Sequence, residues 1–307
     1  LVSIMMDKNE LPLVSIITIN YNGFSDTCEM IDSLKKFLSI PYEVIVVDNH
    51  SSNDEGVQIQ VKYPDVKVVL SSVNLGFAGG NNLGIKESRG MYVLLLNNDT
   101  LITDDSIRYL VECLNQNPLI GGVSPKLYFN DPPYHAQFAG CTNLSTITLR
   151  NKQIGYDMPD DEKYNLPMSI PYLHGAAMMI PKKVIDEVGL MPDVYFLYYE
   201  ELDYSNVIKR AGYKLWYEPR CVIYHKESRS TGYGSPFRSY FLTRNRLLFT
   251  VRNYSGFNMF ISLLYQMLLV IPIYSVKFML SGKPKHAKSL FNAFFDFIRL
   301  WIGSEVS

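Results

Sequence analysis

The feature that most narrows the possible folds is a strand-then-helix rhythm in the first hundred residues, in which each apolar run closes on a short polar side chain. Residues 13–20 (LVSIITIN) are apolar and β-branched. Residues 25–39 follow with Ile31, Leu34 and Leu38 at helical spacing, stopped by Pro41. Residues 42–48 (YEVIVVD) make a second strand, 57–62 a short helix before Pro64, and 66–71 a third strand. A helix over 79–88 leads into a fourth strand over 91–99 (MYVLLLNND). Near-continuous apolar strands alternating with helices need cover on both faces. The expectation is therefore an α/β fold with a single Rossmann-like, mostly parallel sheet flanked by helices.

Ligands of open α/β sheets bind beyond the carboxyl ends of the strands. Here those ends carry Asn20, Asp48, Asn74 and Asp99. One such residue would only start a turn or cap a helix. Four on one edge predict a polar crevice. Residues 74–84 (NLGFAGGNNLG) add glycines at 76, 79 and 80, which let backbone approach a ligand and open a helix toward phosphate; the bland alternative is a flexible turn. The pattern is neither GxGxxG nor GxxxxGK[ST], which speaks against a dehydrogenase and a P-loop NTPase.

Asp99, after Asn97 and Asn98, could hold Mg²⁺ or Mn²⁺ through oxygen, or could cap the helix expected near Asp104. Glu200 and Glu201 follow an aromatic run, 195–199. They suit a helix start, and a carboxylate among aromatics also suits a general base of raised pKa. His225 closes an apolar segment and alone would read as a structural histidine.

The middle is less regular. Residues 118–171 are rich in Pro, Gly and Asn and suggest loops with a hairpin. A strand is expected over 172–180, a helix over 200–211 ended by Gly212, and a strand over 214–217. Farther on, residues 253–276 carry no charge, Pro272 predicts a kink, Lys283, Lys285 and Lys288 form a basic patch, and 290–302 form a second apolar helix. This C-terminal apolar helical extension is expected at a membrane surface or across it. Packing on the domain or on a second copy, giving a homodimer, is the alternative. The expected organisation is an α/β domain over 1–235, divided near residue 100, followed by a helical region over 236–307.

The formal net charge of −1 offers no field for a nucleic-acid backbone, so no nucleic-acid partner is expected. Cys28, Cys113, Cys141 and Cys221 are widely spaced and read as reduced thiols of a cytoplasmic protein. Residues 1–10 lack the pattern of a signal peptide.

Six motifs in order carry a resemblance. They are VSIITINYNG (14–23), VDNHSSND (47–54), NLGFAGGNNLG (74–84), LLLNNDT (94–100), YFLYYEELDYSNVIKRAGYKLWYEP (195–219) and YFLTRNRLLF (240–249). Over roughly residues 13–250 the chain resembles the family 2 glycosyltransferases of the GT-A fold, and within them the bacterial rhamnosyltransferase-like branch. The resemblance implies that Thr18, Asn20, Tyr21 and Asp48 hold the nucleoside. It implies that Asn74, Gly76, Phe77, Gly79 and Asn82 shape the nucleotide and sugar pocket, with Asn98 beside them. Asp99 ends the family's DxD-type motif, here NND, so a divalent cation (Mn²⁺ or Mg²⁺) would rest on Asp99 with His225 as second ligand. Glu201 takes the place of the family's base, with Glu200 before it, and Arg244 could touch the diphosphate. The implied activity is inverting transfer from a nucleotide-diphosphate sugar, dTDP-rhamnose first and UDP-sugars next. The resemblance makes residues 1–235 the catalytic domain, with 1–100 the nucleotide-sugar half and 101–235 the acceptor half. The apolar tail with its basic patch suggests a glycan or polyprenyl-linked glycan acceptor at the inner face of the cell membrane. A sugar nucleotidyltransferase and a non-catalytic nucleotide-sugar-binding protein are the alternatives.

Overall fold

The computed structural model describes residues 14–226 and 234–303. Leu13, residues 1–10 and residues 304–307, on which parts of the strand, signal-peptide and tail expectations fall, lie outside the described residues. In chain order the regular elements begin with β1 (Val14–Asn20), α1 (Phe24–Phe37), β2 (Tyr42–Asp48), α2 (Glu55–Lys62), β3 (Lys67–Leu70), α3 (Gly76–Glu87) and β4 (Tyr92–Leu96). Next come β5 (Thr100–Leu101), α4 (Arg108–Gln116), β6 (Ile120–Phe129), β7 (Ala136–Phe138), β8 (Met168–Ser169), β9 (Ala177–Pro181) and α5 (Lys182–Val188). The chain continues with α6 (Glu200–Arg210), β10 (Lys214–His225), α7 (Pro236–Asn253), α8 (Gly256–Leu264), α9 (Ile271–Leu280) and α10 (Pro284–Ile302).

One sheet runs in the order β3-β2-β1-β4-β9-β6-β10-β5, with β7 on β6 and β8 on β10. The pairs β1–β2, β2–β3, β1–β4 and β6–β10 are parallel, while β9 lies antiparallel between β4 and β6. The chain winds outward from β1 through β2 to β3, then returns to lay β4 on the other side of β1. That reversal opens a crevice beyond the carboxyl ends of β1 and β4. Ile16, Ile17, Leu94 and Leu95 in these two strands are fully buried. Each such side chain stabilises the fold by about 1.5–3 kcal/mol, so the crevice stands on firmly held strands.

α3 lies unusually close to β1. A Cβ on Gly80 would come within 2.9 Å of Ile19 Cδ1, and one on Gly84 within 2.3 Å of Ile17 Cγ2. These glycines, four residues apart, seat the helix on the sheet, and its first turn lies at the crevice. The helix begins at Gly76 rather than Gly79.

Three expectations on strands are corrected. β4 ends at Leu96, not Asp99, because residues 97–99 turn: Thr100 N and Oγ1 both donate to Asn97 O, at 3.2 and 2.6 Å. The strand expected over 172–180 is β9 alone; His174 O accepts from Ala177 N at 3.2 Å and makes a turn before it. The short strand over 214–217 continues to His225. A register shift between Glu218 and Val222 absorbs Pro219 and the charged Arg220, which had broken the apolar pattern.

α8 and α9 join through one π-helical stretch, Tyr265–Val270, immediately before Pro272. A proline lacks the N–H its helix needs and crowds the preceding turn, and the wider stretch accommodates it. The continuous helix Gly256–Leu280 is long and apolar enough to cross a membrane. All four cysteines are buried and free.

Candidate active site

A cavity of about 830 Å³ occupies the crevice. Tyr21, Asn22, Gly23 and Asp26 line it after β1, Asn49 after β2, and Asn74, Gly76 and Phe77 at the start of α3. Asn97, Asn98 and Asp99 line it after β4, Phe196, Leu197 and Tyr198 before α6, His225 at the end of β10, and Phe237 and Arg238 in α7.

The floor is a buried polar hub. Asn20 Nδ2 donates to Asp48 Oδ1 at 3.1 Å, to Ser51 Oγ at 2.9 Å and to Glu55 Oε2 at 2.9 Å, while its Oδ1 accepts from Thr27 Oγ1 at 2.7 Å. Asn20 and Asp48 thus tie the ends of β1 and β2 together beneath the lining. Thr18 is buried deeper, and its hydroxyl has no partner. Asn49 Nδ2 donates to Asn74 Oδ1 and Gly76 O, both at 3.0 Å, and its Oδ1 accepts from Leu75 N at 2.9 Å. Asn49 therefore shapes the entry to α3, a role sequence reasoning missed although the residue adjoins Asp48. Gly76 has φ 71° and would bring a Cβ within 2.1 Å of Phe196 O, and Phe77 N donates to that oxygen at 2.6 Å. Asn82 and Gly79 lie behind the lining; Asn82 holds Met191 through its backbone N and O at 3.0 and 2.9 Å.

β10 pairs antiparallel with β5, Thr100 opposite His225, and Lys226 N donates to Asp99 O at 2.9 Å. This register brings His225 Nε2 to 3.1 Å from Asp99 Oδ1. His225 Nδ1 meets Gln137 Oε1 at 2.8 Å, an acceptor that fixes the ring and leaves Nε2 facing the pocket. Burial pushes the Asp99 carboxyl up, but the hydrogen bond and charge of His225, with Lys226, outweigh it and hold it below the usual carboxylate range. One carboxylate oxygen and one imidazole nitrogen this close, both on the lining, fit a divalent cation that Asp99 and His225 would hold, with positions left over for oxygen ligands from outside the protein. Among the described residues no three His, Cys, Asp or Glu side chains gather for a metal, so protein alone does not complete such a shell.

Glu200 and Glu201 open α6 immediately after the lining segment 196–198. Burial and the Glu201 charge push Glu200 well above the usual range, and its buried Oε2 has no partner among the described residues. Burial raises Glu201 to about 6. Glu201 is half-buried against Gly175, whose Cβ would stand 3.8 Å from Glu201 Cγ. His174, next in chain, is held neutral by burial and by His225, at about 3, and its Nδ1 accepts from Ala176 N at 3.1 Å. Phe196, Tyr198 and Tyr199 all have left-handed φ, at 65°, 69° and 77°, a conformation that costs roughly 1 kcal/mol or more per non-glycine residue.

Arg244 stands off the lining. Its Nη2 donates to Val194 O at 3.2 Å and Tyr195 O at 2.6 Å, and its Nε to Asn245 Oδ1 at 2.8 Å. Seven of the expected site residues thus line one cavity: Tyr21, Asn74, Gly76, Phe77, Asn98, Asp99 and His225. The carboxylates Glu200 and Glu201 flank it.

The family model for glycosyl transferase family 2 matches residues 15–189, more than half of the chain. The chain belongs to glycosyl transferase family 2. This family 2 chain is 28% identical over 245 residues to the low-salt glycan biosynthesis hexosyltransferase of Haloferax volcanii, covering 76% of this chain and 74% of that one. It is 22% identical over 243 residues to the N-acetylglucosaminyl-diphospho-decaprenol L-rhamnosyltransferase of Mycobacterium tuberculosis, covering 72% and 78%. The structure of GalNAc-T7 with UDP, GalNAc and Mn²⁺ shares the fold, with a TM-score of 0.59 at 16% identity, over 88% of this chain and 58% of that one. As a family 2 member the chain is a glycosyltransferase.

Proposed function

We propose that the protein transfers a sugar, rhamnose from dTDP-rhamnose in the first instance and a UDP-linked sugar in the second, to a hydroxyl of a lipid-linked glycan. The observation that carries this reading is the single crevice in which the α3 entry, the Asp99–His225 pair and the segment leading to Glu201 converge. The carboxyl ends of β1 and β2 form the nucleoside side. Asp99 and His225 would hold a divalent cation, which supplies positive charge against the departing diphosphate. Glu201 accepts the proton of the acceptor hydroxyl as its oxygen bonds to the anomeric carbon. The bond from that carbon to the diphosphate breaks on the opposite face, the nucleoside diphosphate leaves, and configuration inverts. A carboxyl raised to about 6 is ionised at neutral pH yet basic enough to take that proton. The rhamnosyl donor is favoured by the likeness to the mycobacterial rhamnosyltransferase.

The acceptor is proposed to be reached at a membrane surface. Phe257, Phe260, Leu268, Ile273, Met279, Leu280, Phe295 and Ile302 are exposed on α8–α10. Lys283, Lys285 and Lys288 lie beside them, while Asp296 is the one acidic residue from 254 to 303. Ser262 Oγ donates to Ile147 O at 3.0 Å, and Gln266 Nε2 donates to Thr250 Oγ1 at 3.0 Å. The Ser262 bond ties the first half of the helix to residues before 235 and the Gln266 bond ties it to α7, which suits an in-plane position better than a span.

The deciding experiment is a nucleotide-sugar panel with Mn²⁺, read by thermal stabilisation and by release of nucleoside diphosphate. dTDP-rhamnose is expected to stabilise most, and EDTA to stop release. Stabilisation by a UDP-sugar alone would reassign the donor; pyrophosphate release would overturn the reading.

A further inference from the structure

The segment from Tyr195 to Glu201 joins the pocket lining to the proposed base, and its backbone is built from conformations that L residues rarely adopt. Phe196, Tyr198 and Tyr199 all have φ between 65° and 77°. Leu197 N donates to Tyr195 O at 2.8 Å inside the segment, and backbone bonds to its neighbours run from Phe196 N to Asp193 O at 3.1 Å, from Asp203 N to Tyr199 O at 2.9 Å and from Phe77 N to Phe196 O at 2.6 Å. What holds it comes from outside, and chiefly from one side chain. Asn245, fully buried in α7, directs its Nδ2 to Tyr195 O at 2.9 Å, Leu197 O at 2.6 Å and Tyr198 O at 2.9 Å. An amide NH₂ has two hydrogens, so three carbonyls share them, and no acceptor-only group could stand there. Arg244 Nε donates to Asn245 Oδ1 at 2.8 Å, which fixes the amide's orientation.

The same helix grips the far side of the base. Arg246 Nε donates to Tyr199 OH at 2.8 Å, Arg252 Nε to Asp203 Oδ2 at 2.6 Å, and Asn253 Nδ2 to Asp203 Oδ1 at 2.9 Å. Glu201 thus stands between two points of attachment to α7.

We propose that Asn245 is a positioning residue for the base: its amide gathers the carbonyls of Tyr195, Leu197 and Tyr198 and so sets where Glu201 stands relative to the pocket. The assignment rests on the reading of Glu201 as base. It also accounts for Arg244 standing off the cavity lining: its bonds go to Val194, Tyr195 and Asn245, so the Arg244–Asn245 pair orders the segment beside the pocket.

The test uses the full chain and four proteins: parent, Glu201→Gln, Asn245→Asp and the double variant. Aspartate keeps the size of asparagine but turns oxygen lone pairs toward three carbonyls. Two measurements are made: hydrogen–deuterium exchange across residues 194–204, and dTDP release from dTDP-rhamnose with Mn²⁺. Asn245→Asp is expected to speed exchange in 194–204 while the β1 and β2 peptides stay protected. It is expected to lower kcat on the order of 100-fold, the usual effect of a misplaced reacting group, with KM for the donor changed far less. In the Glu201→Gln background the same substitution is expected to change kcat less than about threefold, because the group it positions is already gone. If aspartate prevents folding, Asn245→Ser removes the donors without adding charge and is expected to give the same pattern. Unchanged exchange, or equal drops in kcat in both backgrounds, would overturn the assignment. A fully active Glu201→Gln would instead remove the base reading, and the exchange result would still report on the clamp.

Discussion

His225 Nε2 lies 3.1 Å from Asp99 Oδ1, and Gln137 Oε1 holds the opposite ring nitrogen of His225 at 2.8 Å. Metal affinity is therefore expected to depend on all three residues unequally. Asp99→Asn removes a charged ligand and is expected to lower transfer by about 100-fold or more. Gln137→Leu leaves both ligands but frees the ring, and is expected to weaken Mn²⁺ by roughly 10–100-fold. Release of nucleoside diphosphate measures the first and calorimetric titration of Mn²⁺ into protein saturated with dTDP the second; a Gln137→Leu protein with parental affinity would detach Gln137 from this role.

Burial raises Glu201 from 4.5 to about 6, and the two consequences run in opposite directions. As a base Glu201 must be ionised, so kcat/KM is expected to climb about tenfold per pH unit below about 6 and level off above it. In folding, the native carboxyl holds its proton more tightly than the unfolded one. That contribution is complete below about 4.5 and lost as pH rises through about 6. Glu201→Gln cannot ionise, so near pH 7.5 it is expected to be more stable than the parent by up to ~2 kcal/mol. The gain should vanish near pH 4. Denaturant unfolding at both pH values decides, and a destabilised glutamine variant would count against a costly buried carboxylate.

Gly84→Ala tests the seat of α3. The new Cβ would come within 2.3 Å of Ile17 Cγ2, in a strand that cannot move because both its faces are buried. A loss of about 1–3 kcal/mol is expected from overpacking, read by urea denaturation. Nucleotide affinity should fall with it, since the first turn of α3 lines the pocket.

Replacing Lys283, Lys285 and Lys288 by glutamine is expected to release the protein from anionic vesicles. At about 1 kcal/mol per basic side chain, partitioning should fall on the order of 100-fold, with neutral vesicles little affected. Co-sedimentation with phosphatidylglycerol and phosphatidylcholine vesicles makes the comparison. A parent protein that binds neither, but elutes as a dimer through α8–α10, would assign the apolar face to a second copy.

The donor-side layout was legible before any coordinates. β1, β2 and β4 are short apolar runs with polar ends, and period and composition alone mark such runs. Polar residues that follow parallel strands share an edge, which groups Asn20, Asp48, Asn74 and Asp99, although β3 ends at Leu70 and β4 at Leu96, so that only Asn20 and Asp48 close their strands. Glu200 and Glu201 were placed at a helix start by the same local logic, and α6 begins at Glu200. Less legible were the places where local signals conflict. Pro219 and Arg220 hid the continuity of β10, and the Asn97–Asp99 turn was read as strand because Leu94–Leu96 before it are so apolar.

The order of strands and helices in the first half and the polar residues that follow the strands belong to the sequence by itself, since each is set by residues within a turn or a strand length of one another, whereas the seating of Gly80 and Gly84 on Ile19 and Ile17 joins residues more than sixty apart. The meeting of Asp99 with His225, the hold of Gln137 on that histidine, and the grip of Asn245 on the segment before Glu201 were decided only by tertiary structure. They depend on the antiparallel register of β5 on β10 and on where α7 crosses the loop. No periodicity within a segment encodes such distances, because they arise from the packing of elements far apart in the chain.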